Sequence, residues 1–428
     1  MASSTANGST DAPPKSIVII GGGIIGASTA YYLTRHPKYN PNRDSITILE
    51  ATGIASGASG KAGGLLALWA YPSSLVPLSF RLHKELAAEH DGATRWGYRA
   101  LGVGSIDCVG RPISASRIPG KGEEVQGVHE SSISGTGDGN VSLQKRSAES
   151  YKRLRKIGLP SDLDWVSFDA ARGYDSMGSE RDTAQVHPLH FTTSMADLAT
   201  EKGAKVIIGK CTSIGTKSKQ VTYTTTTTSP SEPQVLSATD IIITAGPWTP
   251  HIYPSAPIGN TRAHSVVITP TREISPYALF TSISLPKNYK AGVPSRAQHV
   301  TPEIYARPFN SVYACGEGDH LAPLPSSTAD VECDASRCQD IIDHVSSISD
   351  ELRDGTVTAR QACYLPLVEV GGGPLVGPTA DEGVWMATGH TCWGIQNGPG
   401  TGKLMSEFVM DGEVASADVR GLDPRRVL

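Results

Sequence analysis

At 428 residues, with 38 Lys plus Arg against 42 Asp plus Glu and a formal net charge of −4, the chain lacks the basic balance of a nucleic-acid or anionic-membrane binder. It exceeds the ~250–300 residues at which one hydrophobic core stops growing, so two or three domains are expected. Seven cysteines with no signal-like start fit a reducing, cytoplasmic compartment better than a disulfide-built scaffold, and no apolar run approaches the ~20 residues of a membrane span.

In chain order, residues 1–14 are small and polar and read as a disordered leader. A β-branched strand (16–20), a small-faced helix (24–34) and an apolar strand (45–49) ending at Glu50 follow, the size of one βαβ unit. A Gly/Ser-rich run (53–64) precedes an amphipathic helix (78–90) and a polar insertion without periodicity (111–147). A helix at 188–203 leads to strands at 205–209, 222–228 and 240–244, the last a continuous apolar run of the doubly buried kind. Strands at 263–269, 303–307 and 311–316 predict a second, mostly antiparallel sheet. A buried strand (383–387), a Gly-rich turn and a helix (402–410) return to the first unit. The expected class is α/β: a discontinuous Rossmann-like domain (15–110, 185–250, 370–415) with an interleaved antiparallel substrate domain (111–184, 251–369).

The first unit carries Gly21-Gly22-Gly23-Ile24-Ile25-Gly26, which fits G-x-G-x-x-G. Gly21 permits the tight turn, Gly23 lets backbone approach a pyrophosphate, and Gly26 lets helix pack on strand. The helix start offers free N–H groups and partial positive charge to phosphates. Glu50, a little over 20 residues on, stands where an acid bonds ribose hydroxyls. No Arg follows it to receive a 2′-phosphate.

The small-residue run Ser56 to Gly64 lets backbone lie along a long flat cofactor, and Lys61 supplies a positive charge there. A second G-x-G-x-x-G, needed for a nicotinamide that reduces a flavin, is missing from the sequence; Gly371-Gly372-Gly373 is followed by Pro374. Both features favour FAD over NAD, with electrons drawn from the substrate. The alternatives left open are an NAD-dependent dehydrogenase and a flavin-binding protein that has lost catalysis. Neither metal-ligating spacing nor H-E-x-x-H occurs.

Together the segments VIIGGGIIG, ITILE, SGASGKAGGLLA, HPLHFTTSMADLATEKGAKV, IIITAGPW and ATGHTCWGIQNGPGTG resemble the D-amino-acid oxidase superfamily of FAD-dependent oxidoreductases. The resemblance is to its glycine and sarcosine oxidase branch, nearest a group of fungal oxidoreductases. It implies FAD contacts at Gly21, Gly23, Ile24, Ile25, Gly26, Glu50, Ser56, Ser59, Lys61, Gly63, Gly64 and Leu65. It also implies an adenine-side contact near Cys211, with Ala245, Gly246 and Trp248 beside it, and a turn against the flavin ring at Gly389, Gly394, Ile395 and Gln396. The implied reaction is oxidation of a small amine or amino-acid-like substrate by hydride transfer to flavin, with dioxygen as acceptor and hydrogen peroxide as product.

Three departures qualify that implication. Leu365, in Cys363-Tyr364-Leu365-Pro366, stands where the family keeps an Arg for the substrate carboxylate. Arg360, Arg307, Arg262 and Lys61 are the candidate substitutes. Trp393 and Gln396 replace a His and a Lys of sarcosine oxidases, leaving Lys61, His390 and Trp393 as catalytic candidates. Cys363 matches a cysteine that those oxidases join covalently to flavin; the plainer reading is a buried structural thiol. Cys333 and Cys338, spaced C-x-x-x-x-C, read as solvated helix residues before a redox pair.

Overall fold

The computed structural model describes residues 13–113, 152, 156–225, 232–292 and 294–428. Most of the expected leader and polar insertion, and the end of the Thr-rich run, lie outside these residues. Ser16–Ile20 and Asp240–Ile243 bury nearly every side chain, as strands covered on both faces must. They sit at the centre of an eight-stranded sheet ordered Pro233–Ser237, Gln220–Thr225, Lys205–Gly215, Ser45–Glu50, Ser16–Ile20, Asp240–Ile243, Val384–Thr388, Leu375–Pro378. The five strands from Lys205–Gly215 to Val384–Thr388 run parallel, and both outer edges are antiparallel.

The helix Ile24–Leu33 leaves the first strand and buries all residues except Ile25 and Tyr32. It is apolar nearly all round because the sheet takes one face and the final helix another. That final helix, Gly394–Asp411, starts well before residue 402, correcting the expectation of a Gly-rich turn followed by a short helix. Its small residues permit close helix–helix approach: a Cβ on Gly402 would lie 2.5 Å from the Ser28 carbonyl carbon. Pro399 is accommodated inside the helix and buried.

A second sheet runs Thr356–Val368, Ile258–Thr269, Ser311–Cys315, Glu303–Arg307, Tyr277–Leu285, Gly102–Val109, Ala171–Gly178, with Gln298–Val300 pairing alongside. Every pairing in it is antiparallel except Tyr277–Leu285 with Gly102–Val109. The strand Gly102–Val109 therefore belongs to this sheet, and the chain crosses over before Gly102 rather than after residue 110. The two sheets have separate apolar cores: Val18, Ile20, Ile241 and Met386 in one, Ile106, Trp165, Val266 and Ile304 in the other. Among the described residues no helix is long and apolar enough to cross a membrane, and no cluster of three metal-ligating side chains occurs.

Candidate functional site

Parallel strands leave a crevice at their carboxyl ends, where loops diverge. Here Ile20, Leu49, Thr244 and Ala387 open onto a cavity of about 440 Å³, within the ~300–1,000 Å³ range of small-molecule sites. Its far wall is the second sheet: Thr261, Ala263, Phe280, Glu303, Tyr305, Tyr313, Cys315 and Cys363. The interleaved topology thus places one continuous cavity between the two sheets.

At the first-sheet end the glycine turn has the geometry its sequence requires. Gly21 has φ +117°, and a Cβ there would lie 2.5 Å from the Thr244 carbonyl oxygen. Gly26 faces the turn rather than the cavity, tucked against the Gly21 carbonyl. Gly21, Gly23, Ile24 and Ile25 line the cavity. Ser59 comes back over the turn, its Oγ accepting the Ile24 N–H at 2.9 Å, so the Gly/Ser-rich loop covers the helix start.

Glu50 is buried at the end of its strand. Its Oε2 accepts the Gly22 N–H at 2.6 Å and its Oε1 the Thr52 N–H at 3.0 Å. The Ser56 hydroxyl also donates to Oε1, at 3.5 Å; a carboxylate offers about four acceptor positions, so one remains for a ligand hydroxyl. Ser56, Ser59, Lys61, Gly63, Gly64 and Leu65 continue the cavity wall, and the Lys61 ammonium donates to the Ala362 carbonyl at 3.0 Å. Cys211, Ala245, Gly246 and Trp248 line the opposite side, with the Trp248 indole fixed on the Pro325 carbonyl at 2.7 Å. A continuous cavity with a glycine turn, a helix start and a buried acid at one end fits an adenine dinucleotide.

Gly389, His390, Trp393, Gly394 and Ile395 line the cavity near its second-sheet end. His390 is buried and paired with Thr401 Oγ1 at 2.9 Å; burial pushes its imidazole down to about 3, so it is neutral. Gln396 is a correction. It is fully buried beneath the cavity wall, its Oε1 accepting the Ala67 N–H at 2.7 Å, because the helix has already begun at Gly394 and turns that side chain inward. Cys363 lines the cavity, and burial pushes its thiol up to about 11 despite Lys61 nearby.

Of the four substitutes for the carboxylate-binding Arg, only Lys61 lines the cavity; Leu365 lines it too. Arg262 is spent on Asp319 at 3.1 Å, Arg360 on Gln339 at 3.1 Å, and Arg307 on the Ala62 carbonyl and Ser311. Sequence reasoning missed the second-sheet wall: Phe280, Glu303, Tyr305, Tyr313 and Cys315. The Tyr305 hydroxyl donates to Glu303 Oε2, and burial, then the Glu303 charge, holds that phenol well above its ordinary value. Glu303 and Tyr305, two residues apart on an interior strand, share the face toward the cavity, a period-2 signal that carries no sign of which face is the site. Cys333 and Cys338 lie apart from the cavity wall; their sulfurs are 3.5 Å apart and Cys338 is fully buried, not solvated as expected.

The FAD dependent oxidoreductase family DAO matches residues 16–408 of this chain. TDA3 of Saccharomyces cerevisiae, designated an oxidoreductase, is 33% identical over 96% of this chain and 94% of its own. C1F5.03c of Schizosaccharomyces pombe, similarly designated, is 34% identical over 96% of this chain and 98% of its own. Among solved structures, glycine oxidase from Geobacillus kaustophilus superposes with a TM-score of 0.65 at 17% identity, covering 97% of this chain and all of that one. Iminodiacetate oxidase from Chelativorans sp. BNC1 gives 0.63 at 18%, covering 96% and 99%. These likenesses carry the fold.

Proposed function

The chain belongs to the DAO family of FAD-dependent oxidoreductases, and from that premise we propose that it oxidises a small amine, with dioxygen as the electron acceptor. The observation that carries this reading is the continuity of the cavity. The dinucleotide end at Gly23 and Glu50 opens without interruption onto a pocket of Phe280, Glu303, Tyr305 and Trp393.

When bound, FAD supplies the capacity to accept two electrons from the substrate. The chain's own residues orient, enclose and polarise. Glu50 and the glycine turn fix one end of the cofactor. Phe280, Tyr305, Tyr313 and Trp393 wall the other end and exclude water, which strengthens the electrostatics of the pocket. Lys61 supplies positive charge in the Gly-rich loop, while neutral His390 contributes shape rather than charge. The amine loses two electrons and two protons, dioxygen takes up both pairs, and the resulting imine hydrolyses after release.

Several neighbours are named as oxidases of glycine or iminodiacetate, which supports the substrate class while the loss of the Arg narrows it. The test is anaerobic mixing of purified protein with a panel of amines, followed by air. Loss of the visible flavin bands, then their return with one peroxide per amine consumed, is the expected course. Reduction by NADPH with none by any amine would overturn the reading.

A further inference from the structure

The pocket end of the cavity holds an acid with which no cation among the described residues pairs. Glu303 lines the cavity and is half-buried. Its Oε2 accepts the Tyr305 hydroxyl and, at 3.9 Å, the Cys315 thiol, both neutral donors. Among the described residues no Lys, Arg or His pairs with it, and Oε1 has no partner and is not sealed from solvent. Taking a carboxylate partly out of water without a counter-charge is costly. Two donors oriented on one oxygen leave the other presented to whatever enters.

Aromatic rings share the cavity with this acid. Phe280, Tyr305, Tyr313 and Trp393 line the same cavity. Ring centroids lie 6.4 Å apart for Phe280 and Tyr305 and 5.7 Å for Tyr305 and Tyr313. Trp69, partly exposed, meets Phe280 at 6.2 Å and Trp393 at 5.6 Å, both edge-on, which extends the aromatic wall. Aromatic faces attract alkylammonium groups, most strongly where water is excluded. A substrate carboxylate, by contrast, would find no guanidinium, only the Lys61 ammonium already bonded to the Ala362 carbonyl, and would lie beside Leu365 and meet the charge of Glu303.

We propose that Glu303 is the ammonium anchor of this pocket and that the preferred substrate is a cationic amine with an apolar substituent and no carboxylate. This rests on the amine-oxidising reading above and names its substrate class. Glu303 is then the specificity-determining residue, with the phenol of Tyr305 positioning its carboxylate.

The experiment uses the FAD-loaded enzyme, with retained flavin as the check that each variant is folded. Benzyltrimethylammonium, which mimics the cation, and its uncharged isostere neopentylbenzene are titrated calorimetrically and by change in the flavin spectrum. The cation is expected to bind, with Kd raised roughly 10- to 100-fold in Glu303→Gln and less in Glu303→Asp, while the neutral isostere is little changed. In anaerobic reduction, benzylamine is expected to outpace phenylglycine. Unchanged cation affinity in Glu303→Gln, or faster reduction by phenylglycine, overturns the proposal. Glu303-dependent cation binding without reduction by any amine supports the anchor and overturns the oxidation reading instead.

Discussion

Glu50 accepts the Gly22 N–H at 2.6 Å, locking the acid and the glycine turn, 28 residues apart, into one unit. The acid holds the turn, and on the proposed reading it offers its remaining acceptor position to the ribose. Glu50→Ala removes both and is expected to weaken FAD binding by roughly 10- to 100-fold, the effect of losing hydrogen bonds to a charged group. Glu50→Gln, which retains an acceptor for Gly22, should fall between. Titration of the apoprotein with FAD, read by flavin fluorescence, measures this; equal affinities in all three would remove Glu50 from the site.

Two glycines at positive φ separate strain from collision. Gly246 has φ +53°, and a Cβ there meets nothing within 4 Å, so Gly246→Ala carries only the left-handed penalty of about 1–2 kcal/mol. Gly21→Ala adds contact with the Thr244 backbone and is expected to cost roughly 3 kcal/mol or more. Thermal unfolding of the two variants should show the larger loss for Gly21→Ala. The reverse order would mean the turn relaxes more freely than its packing indicates.

The dinucleotide end was legible from sequence because its chemistry belongs to the backbone. Gly21, Gly23 and Gly26 have spacing dictated by a strand, a turn and a helix, and Glu50 ends the next strand. The pocket end was not. Phe280, Glu303, Tyr305 and Tyr313 come from strands whose alternation shows two faces without saying which meets the first domain. Gln396 was misplaced for a different reason. Gly398, Pro399, Gly400 and Gly402 look like a turn, yet they lie in the helix, where Gly398 and Gly402 sit against Ile24 and Ser28 and Gly400 against Ser79, places with no room for a larger side chain.

Cys363 lies in the cavity, but its thiol is held up to about 11 by burial. A neutral thiol is a poor nucleophile, so dissociable FAD is expected. Acid precipitation should leave a yellow supernatant and a colourless pellet, and Cys363→Ala should retain its flavin. A yellow pellet that turns colourless in Cys363→Ala would establish covalent attachment there.

Buried histidines give stability a defined pH dependence. His83, bonded to the Ile395 carbonyl, is pushed down to about 4 and His390 to about 3, both by burial. Each folded value lies below the ~6.5 of the unfolded chain, so on acidification the unfolded state takes up protons first. Their contribution is therefore complete above about pH 6.5 and is lost as pH falls toward 4 and then 3. Each histidine contributes at most about 1.4 kcal/mol per pH unit in that window. Unfolding midpoints should fall between pH 6.5 and 4.5, less steeply in His390→Gln; a slope of the opposite sign would contradict the buried neutral state.

Every prediction about the site requires the cavity between the two sheets to hold FAD. The most direct measurement is the visible spectrum and flavin-to-protein ratio of the purified chain, before and after incubation with FAD and gel filtration. The expected result is a yellow protein approaching one FAD per chain, with binding reduced in Glu50→Ala. A well-folded, colourless protein that takes up no FAD would contradict it.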